Sequence, residues 1–221
     1  MQHWLQLMAE ALPSLLWAGL IFTIPLTLLS FCFGLILGLI TAIARLFGPA
    51  PVAIVARFYV WVIRGTPLLV QLFVIFFGLG SIGLVIDPWP AAIVALSLNV
   101  GGYAAEIVRA AILSVPKGQW EAGHTVGFSQ AQTLTRIVLP QAARVSVPPL
   151  SNTFISLVKD TSLASTILVT ELLRKAQEIA APTYEFFTLY TVAAVYYWVI
   201  CLALSFSQSR LEVRLDRYVA I

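Results

Sequence analysis

The segment Ser156–Leu163, SLVKDTSL, sets a lysine beside a carboxylate and follows them with the hydroxyls of Thr161 and Ser162, all inside an apolar run. An ionised side chain at the centre of a membrane helix costs about 2.5–3.5 kcal/mol on insertion scales, so such groups face a partner or a cavity. Asn152, Ser156, Lys159 and Asp160 recur at i, i+4, i+7 and i+8, near one face of a helix. Two readings follow. Lys159 and Asp160 form an internal pair that locks the helix, or Asp160 with Thr161 and Ser162 receives a cation while Lys159 receives an anion. A second set, Asn99, Tyr103 and Glu106, lies at i, i+4 and i+7, and Arg109 stands three residues beyond Glu106. Glu106 and Arg109 can neutralise each other at the end of a span; alternatively, Asn99 and Tyr103 line a pathway. Arg64-Gly65-Thr66-Pro67 puts a helix break beside a charge, and broken helices at membrane depth often line a cavity or hinge. Arg64 can equally snorkel to the interface. His3 and His124 have no ligand-like neighbours and read as solvated or interfacial side chains.

The elements that must carry these residues are membrane helices. The 221 residues are 60% hydrophobic and 10% charged, against about 45–50% apolar in soluble domains. Spans of about 20 apolar residues are predicted at Leu15–Leu46, within Val52–Leu79, and at Trp89–Leu113, Val145–Val169 and Tyr184–Ser205. The expected class is an all-α polytopic membrane protein with five transmembrane helices, a single domain over 1–221, and a kink at Pro25. Arg45, Arg57, Arg109, Lys117, Arg136, Arg144, Arg210, Arg214 and Arg217 collect on one side of these spans, while Arg174 and Lys175 lie on the other. Basic residues favour the cytosolic side, which predicts an external N-terminus and a cytosolic C-terminus. Met1–Leu15 lacks the basic start of a cleaved signal peptide. Cys32 and Cys201 fall in apolar runs without metal-ligand spacing, and the net charge of +3 is no sign of nucleic acid binding.

One polar stretch interrupts the apolar chain. In Gln119–Pro140, QWEAGHTVGFSQAQTLTRIVLP, the apolar Trp120, Phe128, Ala131 and Leu134 recur at helical spacing between polar residues. The pattern predicts two short cytosolic helices, with Gly127 as the break and Pro140 as a stop before the next span. Such a unit lies on the membrane surface or docks a cytosolic partner. A further amphipathic segment, Glu171–Ala181, sets Leu172, Leu173, Ala176 and Ile179 on one side and Arg174, Lys175 and Glu178 on the other, predicting a short outer helix.

Glu121, Ala122, Gly127, Ile137, Leu139 and Pro140 resemble the EAA loop of ABC importer permeases, with Gly123 in place of the third alanine. RGTPLLVQLF, GGYAAEIVRAAI and SLVKDTSLASTI resemble the polar amino acid uptake branch along nearly the whole chain, and PQAARVSVPPLSNTFISLVKDTSLA is most similar to its cystine permeases. The resemblance implies a type I ABC importer permease in the bacterial inner membrane, working by alternating access. It implies that a loop at about 117–140, through Glu121, Ala122, Gly123, Gly127 and Pro140, couples to a cytosolic ATPase dimer. It further implies an extracytoplasmic solute-binding protein and a second permease copy, identical or related. An amino acid zwitterion would then bring its ammonium to Asp160, Thr161 and Ser162 and its carboxylate to Lys159 or Asn99, with Tyr103 on the pathway. No Walker A lysine occurs, so no cofactor is expected on this chain, and ATP and magnesium belong to the ATPase partner.

Other function classes fit less well. The alternative is an ion-coupled secondary amino acid transporter, which usually shows paired broken helices in two inverted halves that five spans cannot form. A channel needs a filter or charge ring, and an enzyme needs a nucleophile–base or metal cluster. None is legible, so no catalytic or metal-ligating residue is expected.

Overall fold

The computed structural model describes residues 2–216, with side chains from residue 7 to 214; Arg217 and the His3 side chain lie outside the described residues. The described elements are all helical. They are α1 (Gln2–Ala18), α2 (Ile24–Phe47), α3 (Ala50–Gly65), α4 (Leu68–Phe73), α5 (Leu79–Ser81), α6 (Pro88–Ser114), α7 (Lys117–Thr125), α8 (Gln130–Thr133), α9 (Leu139–Asp160), α10 (Leu172–Thr183) and α11 (Phe186–Asp216). Helical rods are the expected solution here, because a bilayer leaves no water to satisfy an open backbone.

Leu7–Phe47, Pro88–Ser114 and Phe186–Arg214 are each long and apolar enough to cross a membrane. The pair α3 and α4–α5 bends by 110° and counts as a fourth crossing if taken as one broken span. α9 is more polar, carrying Arg144, Lys159 and Asp160 and two internal prolines, Pro148 and Pro149. The long first helix passes through a π-helical turn at Gly19–Thr23 immediately before Pro25. Proline has no N–H to donate, and the wider turn lets the helix absorb it.

α2 and α6 form the central pair. Gly34 meets Ser97 and Val100, while Gly38 meets Gly101 and Ala104. These contacts advance together, so the two helices run parallel. A methyl on either glycine would stand 2.6 Å from Val100 Cβ or Ala104 Cβ, which is why small residues occupy both positions. One apolar cluster joins α2, α4, α6 and the end of α9 through Leu26, Leu72, Leu96 and Leu157. Another packs α1, α10 and α11 through Leu15, Leu172 and Leu189. A third holds the ends of α2 and α6 against the start of α9 through Ala42, Ile112 and Val138, with Trp120 and Leu134 alongside.

The third cluster anchors the 117–140 loop to one end of the bundle. α11 antiparallels α9, since Cys201 reaches Ile155 and Gln208 reaches Asn152. The C-terminal end of α11, with Arg210 and Arg214, therefore shares that end with Arg45, Arg109, Lys117 and Arg136. α10 caps the opposite end. Leu172, Ala176 and Ala180 are buried, while Arg174 and Lys175 each meet Glu178 at 3.4 Å. Glu171 is fully buried at the N-cap of α10, accepting from the amides of Leu173 and Arg174 and from the Tyr197 hydroxyl.

Pro140 does not stop a helix. It lies in the first turn of α9, which continues from α8 through a π-helical turn at Leu134–Val138. Proline is tolerated in a first turn, and the π turn accommodates its missing donor, so the 117–140 segment runs directly into the next long helix.

Candidate functional site

The break after α3 is built by the sequence that surrounds it. Pro67 disfavours a helical residue before it, and Thr66 takes φ −121° and ψ 145° accordingly. That leaves carbonyls at the end of α3 without helical partners. Gln71, on the first turns of α4, folds back over them: its Nε2 donates to the carbonyls of Ile63 at 2.7 Å and Thr66 at 3.1 Å, and to Thr66 Oγ1 at 2.9 Å. Its Oε1 accepts from Asn99 Nδ2 at 3.0 Å. One buried glutamine thereby closes the break and fixes the amide of Asn99.

Beside this break lies a cavity of about 400 Å³ between α4, α6 and α9, lined by Thr66, Asn99, Tyr103, Asn152, Ser156 and Asp160 among others. With its NH2 engaged by Gln71, Asn99 keeps its oxygen for the cavity. Asp160 supplies the one carboxylate of the lining, and hydroxyls and amides supply the rest. The cavity can take a small polar molecule that carries a cationic group.

The structure brings Asn99, Tyr103 and Asp160 to this cavity and leaves Lys159, Thr161 and Ser162 outside its lining. Lys159 is exposed, and among the described residues no ion pair joins it to Asp160. Residues i and i+1 point to different sides of a helix, so adjacency in sequence does not pair them. Thr161 Oγ1 donates to the Val158 carbonyl at 2.7 Å, and Ser162 Oγ donates to the Lys159 carbonyl at 2.6 Å. Both hydroxyls satisfy the turn where α9 tightens into the 3-10 segment Thr161–Ile167. Gln71 was not singled out by sequence; its place four residues beyond Pro67 was the available signal.

Tyr103 also walls a second cavity of about 390 Å³, lined by Arg45, Arg57, Trp61, Arg64 and Glu106. Glu106 pairs with Arg109, as the i, i+3 spacing predicts, and also with Arg45 at 2.6 Å. Arg64 lies 4.0 Å from Glu106 and 5.5 Å from the centre of the Tyr103 ring. Arg64 thus sits over the ring of Tyr103, the residue that the two cavities share.

The 117–140 segment forms the expected pair of short helices. α7 ends in a Schellman motif: Gly127 has φ +83°, its amide donates to His124, and the Phe128 amide donates to Gly123. α8 opens with a capping box in which Ser129 and Gln132 exchange side-chain and backbone bonds. Glu121 and Ala122 are exposed, whereas Gly123 is buried. A methyl on Gly123 would stand 2.5 Å from Thr133 Cγ2, so the glycine is demanded by the fully buried Thr133 of α8. Among the described residues no group of three or more His, Cys, Asp or Glu side chains could hold a metal ion.

Residues 34–217 match the family model described as binding-protein-dependent transport system inner membrane component. The chain belongs to this family. This inner-membrane permease is 61% identical over 203 residues to the L-cystine transport system permease protein TcyB of Bacillus subtilis, covering 91% of this chain and 87% of the relative. It is 42% identical over 207 residues to the glutamine transport system permease protein GlnP of Escherichia coli, covering 93% and 94% of the two chains. Its fold matches the crystal structure of an amino acid ABC transporter with histidines, with a TM-score of 0.88 and 37% identity over 94% of this chain and 96% of the other. The MetNI methionine ABC transporter in an inward-facing conformation shares the fold alone, with a TM-score of 0.77 and 23% identity over 91% and 96% of the chains. The permease is therefore an all-α, multi-pass transport subunit with the ABC importer permease fold, not an enzyme.

Proposed function

We propose that this permease carries polar amino acids, L-cystine foremost, across the inner membrane in an ATP-driven importer. The observation that carries the substrate class is the 61% identity to an L-cystine permease across 91% of the chain. The cavity at the α3–α4 break supports it: Asp160 suits an ammonium group, while the Asn99 and Tyr103 side chains offer polar contacts to the rest of the molecule. Lys159, Thr161 and Ser162 flank Asp160 outside the cavity lining and belong to the site only if this turn rotates during transport.

In this proposal the chain is one domain of five spans, with α3–α5 as the broken second and α9 as the fourth. Its N-terminus is external and its C-terminus cytosolic. The α7–α8 unit, through Glu121, Ala122, Gly123, Gly127 and Pro140, docks on a cytosolic ATPase dimer that binds ATP and magnesium. An extracytoplasmic binding protein delivers substrate, and a second permease copy, identical or related, completes the pathway. The test is uptake of labelled L-cystine, glutamine and histidine into proteoliposomes holding the permease with its co-purifying subunits. Uptake that requires ATP and favours cystine is expected. ATP-independent uptake driven by an ion gradient would replace this scheme with secondary transport.

A further inference from the structure

The second cavity carries more positive charge than its surroundings balance. Arg45, Arg57 and Arg64 line it, and Arg109 stands behind Glu106, so four guanidinium groups share one carboxylate. Glu106 is already engaged by Arg109 and Arg45. Arg57 donates only to the Ala53 carbonyl of its own helix, at 3.1 Å, and forms no ion pair among the described residues. The Nε of Arg45 is buried without a hydrogen-bond partner. A buried donor left unsatisfied is costly, and excess charge at the edge of an apolar layer calls for a counter-ion. The uncompensated guanidinium of Arg57 on the cavity wall points to an anion that the chain itself does not supply.

We propose that this cavity binds the phosphate of an anionic phospholipid headgroup. Guanidinium groups match phosphate oxygens through paired N–H donors, and basic pockets between membrane helices bind such headgroups. The cavity opens beside Trp61, which is 74% exposed and packs near Phe58, itself 62% exposed on the same helix. Tryptophan rings sit at headgroup level in membrane proteins. A transported zwitterion fits less well, because its ammonium group would be repelled by the same cluster of arginines. Soluble phosphate shares the chemistry but gains nothing from the exposed Phe58 and Trp61.

The full chain, reconstituted in phosphatidylcholine discs with or without phosphatidylglycerol, tests this by native mass spectrometry of the lipid that remains bound. The variant is Arg57→Gln, which leaves the Glu106 pairs intact; Arg57→Lys keeps the charge and serves as the folding-neutral comparison. The wild type is expected to retain phosphatidylglycerol over phosphatidylcholine. Arg57→Gln is expected to lose that preference by about tenfold, the scale of one hydrogen bond to a charged group. Arg57→Lys is expected to keep most of it. Retention that millimolar inorganic phosphate does not compete away supports the lipid source. Binding of inorganic phosphate in phosphatidylcholine discs, abolished by Arg57→Gln, would overturn the lipid source. Equal lipid retention by wild type and a normally folded Arg57→Gln would overturn the site; if Arg57→Gln does not fold, equal retention of phosphatidylglycerol and phosphatidylcholine by the wild type decides against it.

Discussion

Asp160 is the one acidic side chain on the lining of the cavity at the α3–α4 break, and its exposed neighbour Lys159 forms no ion pair with it. Asp160→Asn keeps the shape and removes the charge, so a charge-assisted contact to an ammonium falls to about half its strength. Uptake of a zwitterionic amino acid should drop by about tenfold, while basal ATP hydrolysis by the assembled transporter persists. Because no ion pair joins the two residues, adding Lys159→Met should leave uptake low. Recovery of uptake in Asp160→Asn with Lys159→Met, measured in proteoliposomes with assembly checked by size exclusion, would show that Asp160 serves only to balance Lys159. Gln71 matters at the same scale for a different reason: it satisfies the carbonyls of the helix break and holds Asn99, so the cavity wall and the break are one hydrogen-bonded unit.

At the scale of elements, α7 and α8 are fixed to each other by two glycines with different tasks. Gly127 supplies the left-handed residue of the Schellman turn, and Gly123 lets α7 approach the buried Thr133 of α8. A β-branched side chain in the left-handed region costs about 1–2 kcal/mol, and a methyl forced against Thr133 costs about 1–3 kcal/mol by overpacking. Gly127→Val and Gly123→Ala should therefore each reorient the two short helices while leaving the spans assembled. The expected outcome is reduced ATP hydrolysis coupled to uptake, with binding-protein capture of substrate unchanged. Normal coupled uptake by both variants would remove the docking role from this unit. The EAA pattern made the substitution at Gly123 look interchangeable with alanine; the packing against Thr133 shows that it is not.

For the whole molecule, the ends of α2, α6 and α11 and the α7–α8 unit gather at one end of the bundle, and α10 lies at the other. Basic side chains crowd the first end, which faces the cytosol in the proposed orientation. The positions Gly118, exposed in α7, and Tyr184, 82% exposed after α10, report the two ends. In a Cys32→Ser, Cys201→Ser background, Gly118→Cys should react with a membrane-impermeant maleimide only in inverted vesicles. Tyr184→Cys should react only in right-side-out cells. The reverse labelling would invert the proposed topology and move the ATPase-docking assignment with it.

Most of the class and part of the site were legible without coordinates, because they depend on composition and on spacing within one helix. Apolar runs required membrane helices, the i, i+3 spacing joined Glu106 to Arg109, and Gly127 marked the turn between two short helices. The same periodicity placed Asn99 and Tyr103 on one face, and both reach the cavity. Contacts between helices were not legible. Nothing in sequence spacing brings Arg45 to Glu106, or Asn99 to Gln71, since these depend on how closely α2 and α6 approach and on the direction taken after Pro67. Whether adjacent Lys159 and Asp160 pair was open from sequence; a helix turns about 100° per residue, and no ion pair joins them among the described residues. Local periodicity is a property of the chain; which faces meet depends on where small residues allow close packing and on the direction α4 takes after its break, and only the tertiary structure shows both.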